Sequence, residues 1–151
     1  MADEKRYVSG IEQDQVSRAL LIWLNQFPDK PVNRIEFEFL NKDIGMSLST
    51  VTAAYKTEEF ISGAYNAQYQ FAILYRVSPE TSGDRLNAAE VLDTLGRWAE
   101  DRTDLPPLGP NMTATRMERN STGSLIARYD DNSEDYQILM NLLYEVKENG
   151  Y

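Results

Sequence analysis

Cysteine and histidine are both absent from the 151-residue sequence. Without cysteine, the chain has no disulfide, no thiolate nucleophile and no cysteine-ligated metal. Without histidine, it lacks the commonest general base and the commonest transition-metal ligand, which excludes most catalytic triads and zinc sites. Any reaction would depend on carboxylates, lysine, tyrosine or serine. We therefore predict that the protein is not an enzyme and holds neither cofactor nor metal.

Basic residues are scarce, with 15 Lys and Arg against 24 Asp and Glu and a net charge of −9. Such a surface repels nucleic-acid phosphates unless its few basic residues cluster, so we expect no specific DNA binding. No window approaches about 18 uninterrupted apolar residues, the length that a membrane helix needs. The first ten residues, MADEKRYVSG, lack the apolar core of a signal peptide. We expect no membrane partner and a cytosol-like compartment.

The remaining composition is that of an ordinary globular protein. Hydrophobic residues make up 42% and charged residues 26%, which argues against wholesale disorder. The length predicts a single domain over residues 1–151, large enough to bury a core. Residues 1–8 are mostly charged, and we expect them to be a loose N-terminus.

Two long stretches alternate in polarity with a period of two. From Ala64 to Val77, aromatic and aliphatic side chains alternate with an amide-rich set. This pattern predicts a strand on the order of 45 Å long, at about 3.3 Å per residue. Asp135 to Val146 alternates in the same way. We interpret the two stretches as the central strands of a sheet, and their pairing is a hypothesis.

Two other stretches have helical periodicity. The first runs from about Ile11 to Gln26, and Ser9 and Glu12 predict a capping box at its start. The second follows Thr81 or Ser82, either of which can cap it. Its apolar stripe consists of Leu86, Ala89, Leu92, Leu95 and Ala99, and Gly96 within the stripe predicts a close approach of helix to sheet.

Shorter segments complete the predicted fold. Residues 34–40, 56–61, 112–119 and 125–129 are typical of strands. The hydroxyl-rich segment 47–55 is a further strand or, alternatively, a flexible arm that orders only against a neighbouring molecule. Together the elements predict an α+β fold, with a mostly antiparallel sheet, two long strands and two helices packed on one face.

Acidic residues offer two candidate sites, and we favour a structural interpretation of both. The segment DDNSED at 130–135 has the ligands of a cation loop but lacks the glycine and the distal glutamate of an EF-hand, so we interpret it as a solvated turn. Glu36 and Glu38 share a predicted strand face, which is a pattern that any half-exposed strand produces. No glycine-rich phosphate-binding loop is present.

The nominally exposed face of the long strands carries apolar residues. Because two helices cover only one face of the sheet, we predict that a neighbouring subunit or partner covers the other. The tyrosines of the strands suit either an interface or a sheet core whose hydroxyl groups are hydrogen-bonded, and the pattern favours neither. The candidate interface residues are Tyr69, Ala72, Leu74, Leu139, Leu143, Ser47, Ser49 and Thr50.

Four features in sequence order resemble a known family. They are YNAQYQFAILYRV at 65–77, RLNAAEVLDTLGRW at 85–98, the proline-rich link at 105–110 and NSEDYQILMNLLYEV at 132–146. In content and order they resemble small phage minor capsid proteins, similar to the tail terminators of long-tailed bacteriophages. The resemblance extends from about Ile11 to Val146.

The resemblance implies a structural function without catalytic residues. Such proteins form a hexameric ring that caps the tail tube, ends its growth and offers a docking face to the head connector. The implied partners are further copies of the chain, the tail tube protein and the head–tail connector protein, while DNA passes through without specific binding. The implied locations are the virion, at the head–tail interface, and the host cytoplasm during assembly. The alternative is a soluble, non-catalytic adaptor module that binds one partner as a monomer or dimer.

Overall fold

Two long antiparallel strands form the centre of a seven-stranded sheet in the computed structural model, which describes residues 7–51 and 53–147. The fold is α+β, as predicted. The elements in order are α1 (Gly10–Leu24), β1 (Glu36–Phe37), β2 (Gly45–Thr50), β3 (Tyr55–Glu59), β4 (Tyr65–Val77), α2 (Ser82–Asp101), β5 (Met112–Arg119), β6 (Ser124–Arg128) and β7 (Glu134–Val146).

The central strands β4 and β7 pair along their full length of 13 residues each. Tyr65 lies opposite Val146, and Val77 lies opposite Glu134. On the outer side of β4, β2 pairs with its C-terminal half and β3 with its N-terminal half. Likewise β5 and β6 pair with the two halves of β7, and β1 pairs with β2 in parallel. The predicted pairing of the two long strands is confirmed.

Alternate side chains of β4 and β7 form the hydrophobic core against the two helices. Ser17 of α1 hydrogen-bonds Tyr69 of β4, and Gly96 of α2 lies against Ile138 of β7, so both helices cover the same sheet face. The period of two places the apolar set of each strand on that face. Its buried members are Ala67, Tyr69, Phe71, Ile73 and Tyr75 of β4 and Tyr136, Ile138, Met140, Leu142, Tyr144 and Val146 of β7.

Helix α1 begins where its cap predicts, but the predicted capping box is incomplete. The Ser9 hydroxyl accepts a hydrogen bond from the Glu12 amide at 3.1 Å. The Glu12 carboxylate accepts instead from the hydroxyl groups of Tyr65 and Tyr144. Ile11, which the helical spacing suggested as an apolar contact, is 84% exposed, and the buried face of α1 begins at Val16.

Helix α2 is capped by Thr81, one of the two predicted caps, and Asp84 completes a capping box with it. Leu86 is 72% exposed, which corrects its assignment to the apolar stripe: the buried face begins at Ala88 and continues through Leu92. The predicted close approach at Gly96 is confirmed. A Cβ atom at Gly96 would lie 2.7 Å from side-chain atoms of Arg119 and Ile138.

The first predicted strand is much shorter than the pattern suggested. It covers only Glu36–Phe37, because Glu38 has a φ of 54°, a left-handed conformation that turns the chain out of the strand. The alternation of Ile35, Phe37 and Phe39 suggested a half-buried strand, but only Ile35 is buried, and Phe37 and Phe39 are exposed.

Other segments differ from the prediction mainly in their boundaries. The hydroxyl-rich segment is a strand rather than a free arm, and β2 begins two residues earlier and ends five residues earlier than the predicted range 47–55. Thr52, in that range, and residues 1–6 of the predicted loose N-terminus lie outside the described residues. Val8 is buried and its amide donates to the Ala54 carbonyl at 3.0 Å, so the chain is already anchored there.

Candidate interaction surface

The face of β4 and β7 that points away from the helices is hereafter called the open face. No helix covers it in the part of the chain that the structure describes. The cross-strand pairs along it run from Asn66 opposite Glu145 to Arg76 opposite Asp135. Most of these side chains are half-buried by their neighbours in the sheet, so the open face is partly accessible.

No described helix is long and apolar enough to cross a bilayer.

Six of the eight predicted interface residues lie on the open face. Ala72 is directly opposite Leu139 on β7, and Leu74 lies one row further along β4. These three residues form an aliphatic centre. Leu143 lies two rows away from Leu139, with the row of Gln70 and Asn141 between them. Ser47 and Ser49 of β2 extend the rows of Leu74 and Ala72.

The two serines are engaged within the chain and are not free for a partner. Ser47 is buried, and its hydroxyl accepts a hydrogen bond from the Phe39 amide at 3.1 Å. The Ser49 hydroxyl donates to the carboxylate of Glu38, which also accepts from the Thr50 amide at 2.6 Å. The segment after β1 thus covers this edge of the open face. Of the aliphatic residues, Leu74, Leu139 and Leu143 are half-buried and Ala72 is buried.

Tyr69 and Thr50 lie on the opposite, helix-covered face, which corrects their assignment to the interface. The Tyr69 ring is completely buried. Its hydroxyl group lies between the hydroxyl groups of Ser17 and Thr50, at 2.8 and 2.7 Å. Burial raises the pKa of Tyr69. A partner cannot reach this phenol while the chain is folded, so we assign it to the core.

An amide row crosses the middle of the open face. The Asn141 side-chain amide donates to the Gln68 side-chain oxygen at 3.2 Å. The Oδ1 atom of Asn141 is buried and has no hydrogen-bond partner among the described residues. An unsatisfied buried acceptor is unfavourable, so this atom is a local cost to the stability of the sheet.

A charged cluster ends the open face on the side of the acidic loop. The Arg76 guanidinium donates two hydrogen bonds, of 2.7 and 2.8 Å, to the Asp135 carboxylate. Tyr129 donates a third at 2.7 Å, and its ring lies under Arg76. Burial raises the pKa of Asp135, but these hydrogen bonds outweigh burial, so the pKa lies below its usual value. The cluster is a fixed, paired feature of the rim.

Glu134 is a second buried carboxylate, on the helix-covered side of β7. It accepts hydrogen bonds from Arg85 of α2, from Arg128 of β6 and from the Tyr136 hydroxyl. Burial opposes its ionisation, yet the hydrogen bonds leave its pKa lowered. It lines a polar cleft of about 830 Å³.

The predicted solvated turn at 130–135 is therefore only partly right. Asp131 stays exposed and accepts hydrogen bonds from the amide and hydroxyl of Ser133. Glu134 and Asp135 are buried within β7 and paired with arginines. Sequence reasoning missed these pairs because Arg76 and Arg85 lie 59 and 49 residues away in the chain.

A third carboxylate, Glu12, joins α1 to both central strands. It accepts hydrogen bonds from Tyr65 of β4 and from Tyr144 of β7, the latter at 2.8 Å. Burial, together with the nearby Glu12 charge, raises the pKa of both phenols. The only local signal at Glu12 was its capping position, which pointed to a different hydrogen bond.

The acidic residues singled out by the sequence have separate partners in the described part of the chain. Glu36 pairs with Arg34 at 2.9 Å, while Glu38 bonds to β2, so the two carboxylates have separate partners. Within residues 7–51 and 53–147, no group of three or more acidic side chains could hold a metal ion. The open face is thus the feature best suited to function, as a surface for binding.

Comparison with known proteins adds no family assignment. No protein-family model matches the chain, and no curated protein matches it either.

Proposed function

We propose that the chain is a virion structural protein of the tail-terminator type. In this function it is a subunit of a homo-oligomeric ring, hexameric in the family that it resembles, which caps the tail tube of a long-tailed phage and joins it to the head connector. The sequence resemblance over 65–77, 85–98 and 132–146 supports this function. The same resemblance implies that the protein is located in the virion and, during assembly, in the host cytoplasm.

The observation that carries the proposal is the aliphatic centre of the open face. Ala72, Leu74 and Leu139 are adjacent on a sheet face without helix cover. Polar groups surround them, including the Gln70–Asn141 row and the paired Arg76. An apolar centre with a polar rim is the usual composition of a protein–protein interface.

The charge of the chain is compatible with a ring through which DNA passes. A net charge of −9 gives each subunit an excess of carboxylates, and a ring multiplies that excess. Phosphates are repelled by such a wall and do not bind to it. The proposed protein partners are the tail tube protein and the head–tail connector protein, which would contact the two ends of the ring.

An adaptor module is the second candidate, and the same open face favours it. One partner protein would cover Leu74 and Leu139, and the chain would act as a monomer or dimer. The two functions differ in the number of copies that associate, so the mass of the assembly separates them.

The test is the mass of the purified chain, alone and with tail tube protein, by light scattering and negative-stain imaging. The terminator function requires rings in at least the second condition. A chain that stays monomeric at high concentration, and forms no ring on tubes, contradicts the proposal and leaves the adaptor.

A further inference from the structure

The turn between β3 and β4 presents two apolar side chains to solvent. Ile61 is fully exposed and Phe60 is 46% exposed. The turn is well defined, because the Phe60 amide donates to the Ala64 carbonyl at 2.9 Å and the Gly63 amide donates to the Phe60 carbonyl at 3.0 Å. Gly63 has a φ of 95°, which favours glycine. We call residues 58–63 the hairpin tip.

A groove with an apolar wall lies between α1 and β1, and we call it the α1–β1 groove. Its volume is about 690 Å³, and its lining includes Leu21 and Ile22 of α1 and Ile35 and Phe37 beside the sheet edge. Ile22 and Phe37 are exposed. The volume lies within the range of roughly 300–1,000 Å³ that is typical of protein pockets that hold ligands.

The tip and the groove carry charges of opposite sign. The tip has Glu58 and Glu59 beside its apolar residues, and among the described residues Lys56 of β3 pairs with Glu59 at 3.2 Å. The charged residues that line the groove are Lys30, Arg34 and Glu36, so the groove has an excess of one positive charge. Opposite charges at the rims of two apolar surfaces favour their association and set its direction.

Lys30 is the cation that the groove leaves available. Its ammonium group donates to the carbonyl oxygens of Asn25 and Phe27 at the end of α1, and it has no carboxylate partner among the described residues. Arg34, in contrast, is paired with Glu36. An incoming acidic residue would therefore find an unpaired positive charge at Lys30.

The tip cannot enter the groove of its own chain. Phe37 pairs with Leu48 of β2, which pairs with Ile73 of β4. The tip adjoins the other end of β4, at Tyr65. The stretch of β4 between Ile73 and Tyr65 is about 26 Å long, at about 3.3 Å per residue. Contact between these two surfaces therefore requires two molecules.

We propose that the hairpin tip of one copy inserts Phe60 and Ile61 into the α1–β1 groove of the next copy. This inference rests on the proposed ring function and specifies one contact between neighbouring subunits, in addition to the open face. Two different patches meet in this contact, so it is head-to-tail. Repetition of a head-to-tail contact closes into a ring when the rotation between copies allows it.

The absence of cysteine makes cross-linking a clean test. Ser62→Cys places one thiol on the tip and Asn33→Cys places one in the groove, and both positions are exposed and leave the apolar anchors unchanged. The two variants are mixed and treated with a short bismaleimide. The matched control mixes Ser62→Cys with Ser124→Cys, an exposed serine on β6 at the opposite edge of the sheet. Light scattering on each sample records the assembly mass.

The expected product is a covalent dimer in the Ser62→Cys and Asn33→Cys mixture, with at least tenfold less in the control and in either variant alone. Adding Ile61→Ser to the Ser62→Cys chain should reduce the yield at least tenfold, while circular dichroism confirms the fold. Self-linking of Ser62→Cys at equal yield, equal linking to Ser124→Cys, or no effect of Ile61→Ser would each overturn the contact.

The mass measurement separates this inference from the proposed function. Rings without the tip-to-groove product would overturn the head-to-tail contact and leave the ring function standing. A monomer without any cross-linked product would overturn both.

Discussion

Two neighbouring residues of β4 test whether the open face is an interface or part of the core. Ile73 points to the helices and is completely buried, whereas Leu74 points to the open face and is half-buried. We consider Ile73→Asp and Leu74→Asp as a matched pair, with Leu86→Asp on the exposed surface of α2 as the control.

The structure predicts very different costs for the two substitutions. A carboxylate at Ile73 has no water and no partner, which costs more than about 4 kcal/mol. Typical domains are stable by about 5–15 kcal/mol, so the free energy of unfolding falls close to zero. A carboxylate at Leu74 keeps water on one side and has the Arg76 guanidinium two residues along the same face. Its cost is the partial loss of apolar burial, about 1 kcal/mol.

Assembly should respond in the opposite order. In the proposed ring, the partner removes water from position 74, and an unpaired carboxylate there costs about 3 kcal/mol or more. That is a loss of more than about 100-fold in the association constant of each interface. The control, Leu86→Asp, should change neither folding nor association, because Leu86 is already 72% exposed.

Urea unfolding followed by circular dichroism measures the folding free energy, and sedimentation equilibrium measures association. We expect the Leu74→Asp chain to fold but to associate poorly, and the Ile73→Asp chain to be largely unfolded. If Leu74→Asp loses as much stability as Ile73→Asp, the open face is ordinary core. If it folds and associates like the unsubstituted chain, the aliphatic centre is not the interface.

Three further predictions concern the fold itself. Tyr69→Phe leaves the buried Ser17 hydroxyl and the half-buried Thr50 hydroxyl without their shared partner. Urea unfolding should therefore show a loss of about 1–3 kcal/mol in the free energy of unfolding, and a loss near zero would contradict the network. Gly123→Ala places a Cβ atom 2.6 Å from the Ala89 carbonyl oxygen and should lower the melting temperature, whereas Gly10→Ala, with nothing within 4 Å, should not. The pKa of Tyr144 is near 10.0 in the unfolded chain and is raised in the folded protein. Above pH 10 the unfolded chain therefore ionises at this residue while the folded protein does not. The stabilising effect of Tyr144 is present below pH 10 and is lost as the pH rises. In urea unfolding between pH 9 and 11, the free energy of unfolding should therefore fall above pH 10, and Tyr144 should contribute about 1.4 kcal/mol per pH unit to this fall. Tyr144→Phe should lack that contribution, and an unchanged slope in this variant would contradict the assignment.

Two buried carboxylates, Asp135 and Glu134, and the half-buried Glu12 show how an acidic chain keeps charge inside its fold. Glu12 accepts from two tyrosines, Asp135 is bound by Arg76 and Tyr129, and Glu134 by two arginines and Tyr136. Each joins elements that are far apart in the chain. Loss of one partner would leave a buried charge with fewer hydrogen bonds, which is costly, so these clusters favour a single arrangement of strands and helices.

The sequence by itself determined the elements that depend on local spacing. A period of two placed both central strands to within two residues, since alternation sets which side chains share a sheet face. Ser9 and Thr81 marked the helix starts because a cap is satisfied by amides only two or three residues away. Gly96 marked the close contact of α2 with the sheet. The same alternation placed Ala72, Leu74, Leu139 and Leu143 on one face.

Only the tertiary structure decided what those faces meet. Tyr69 is a candidate interface residue from the sequence, and the structure places it in the core. The pattern could not separate the two environments, because both suit a phenol with a bound hydroxyl group. The Glu12 carboxylate does not complete the predicted capping box but accepts a hydrogen bond from Tyr144, which is 132 residues away. Such a contact leaves no periodic signal in the sequence. The short β1 depended on the left-handed backbone at Glu38. The separation of the hairpin tip from the α1–β1 groove depended on strand order, because distances across a sheet follow from pairing and not from sequence spacing.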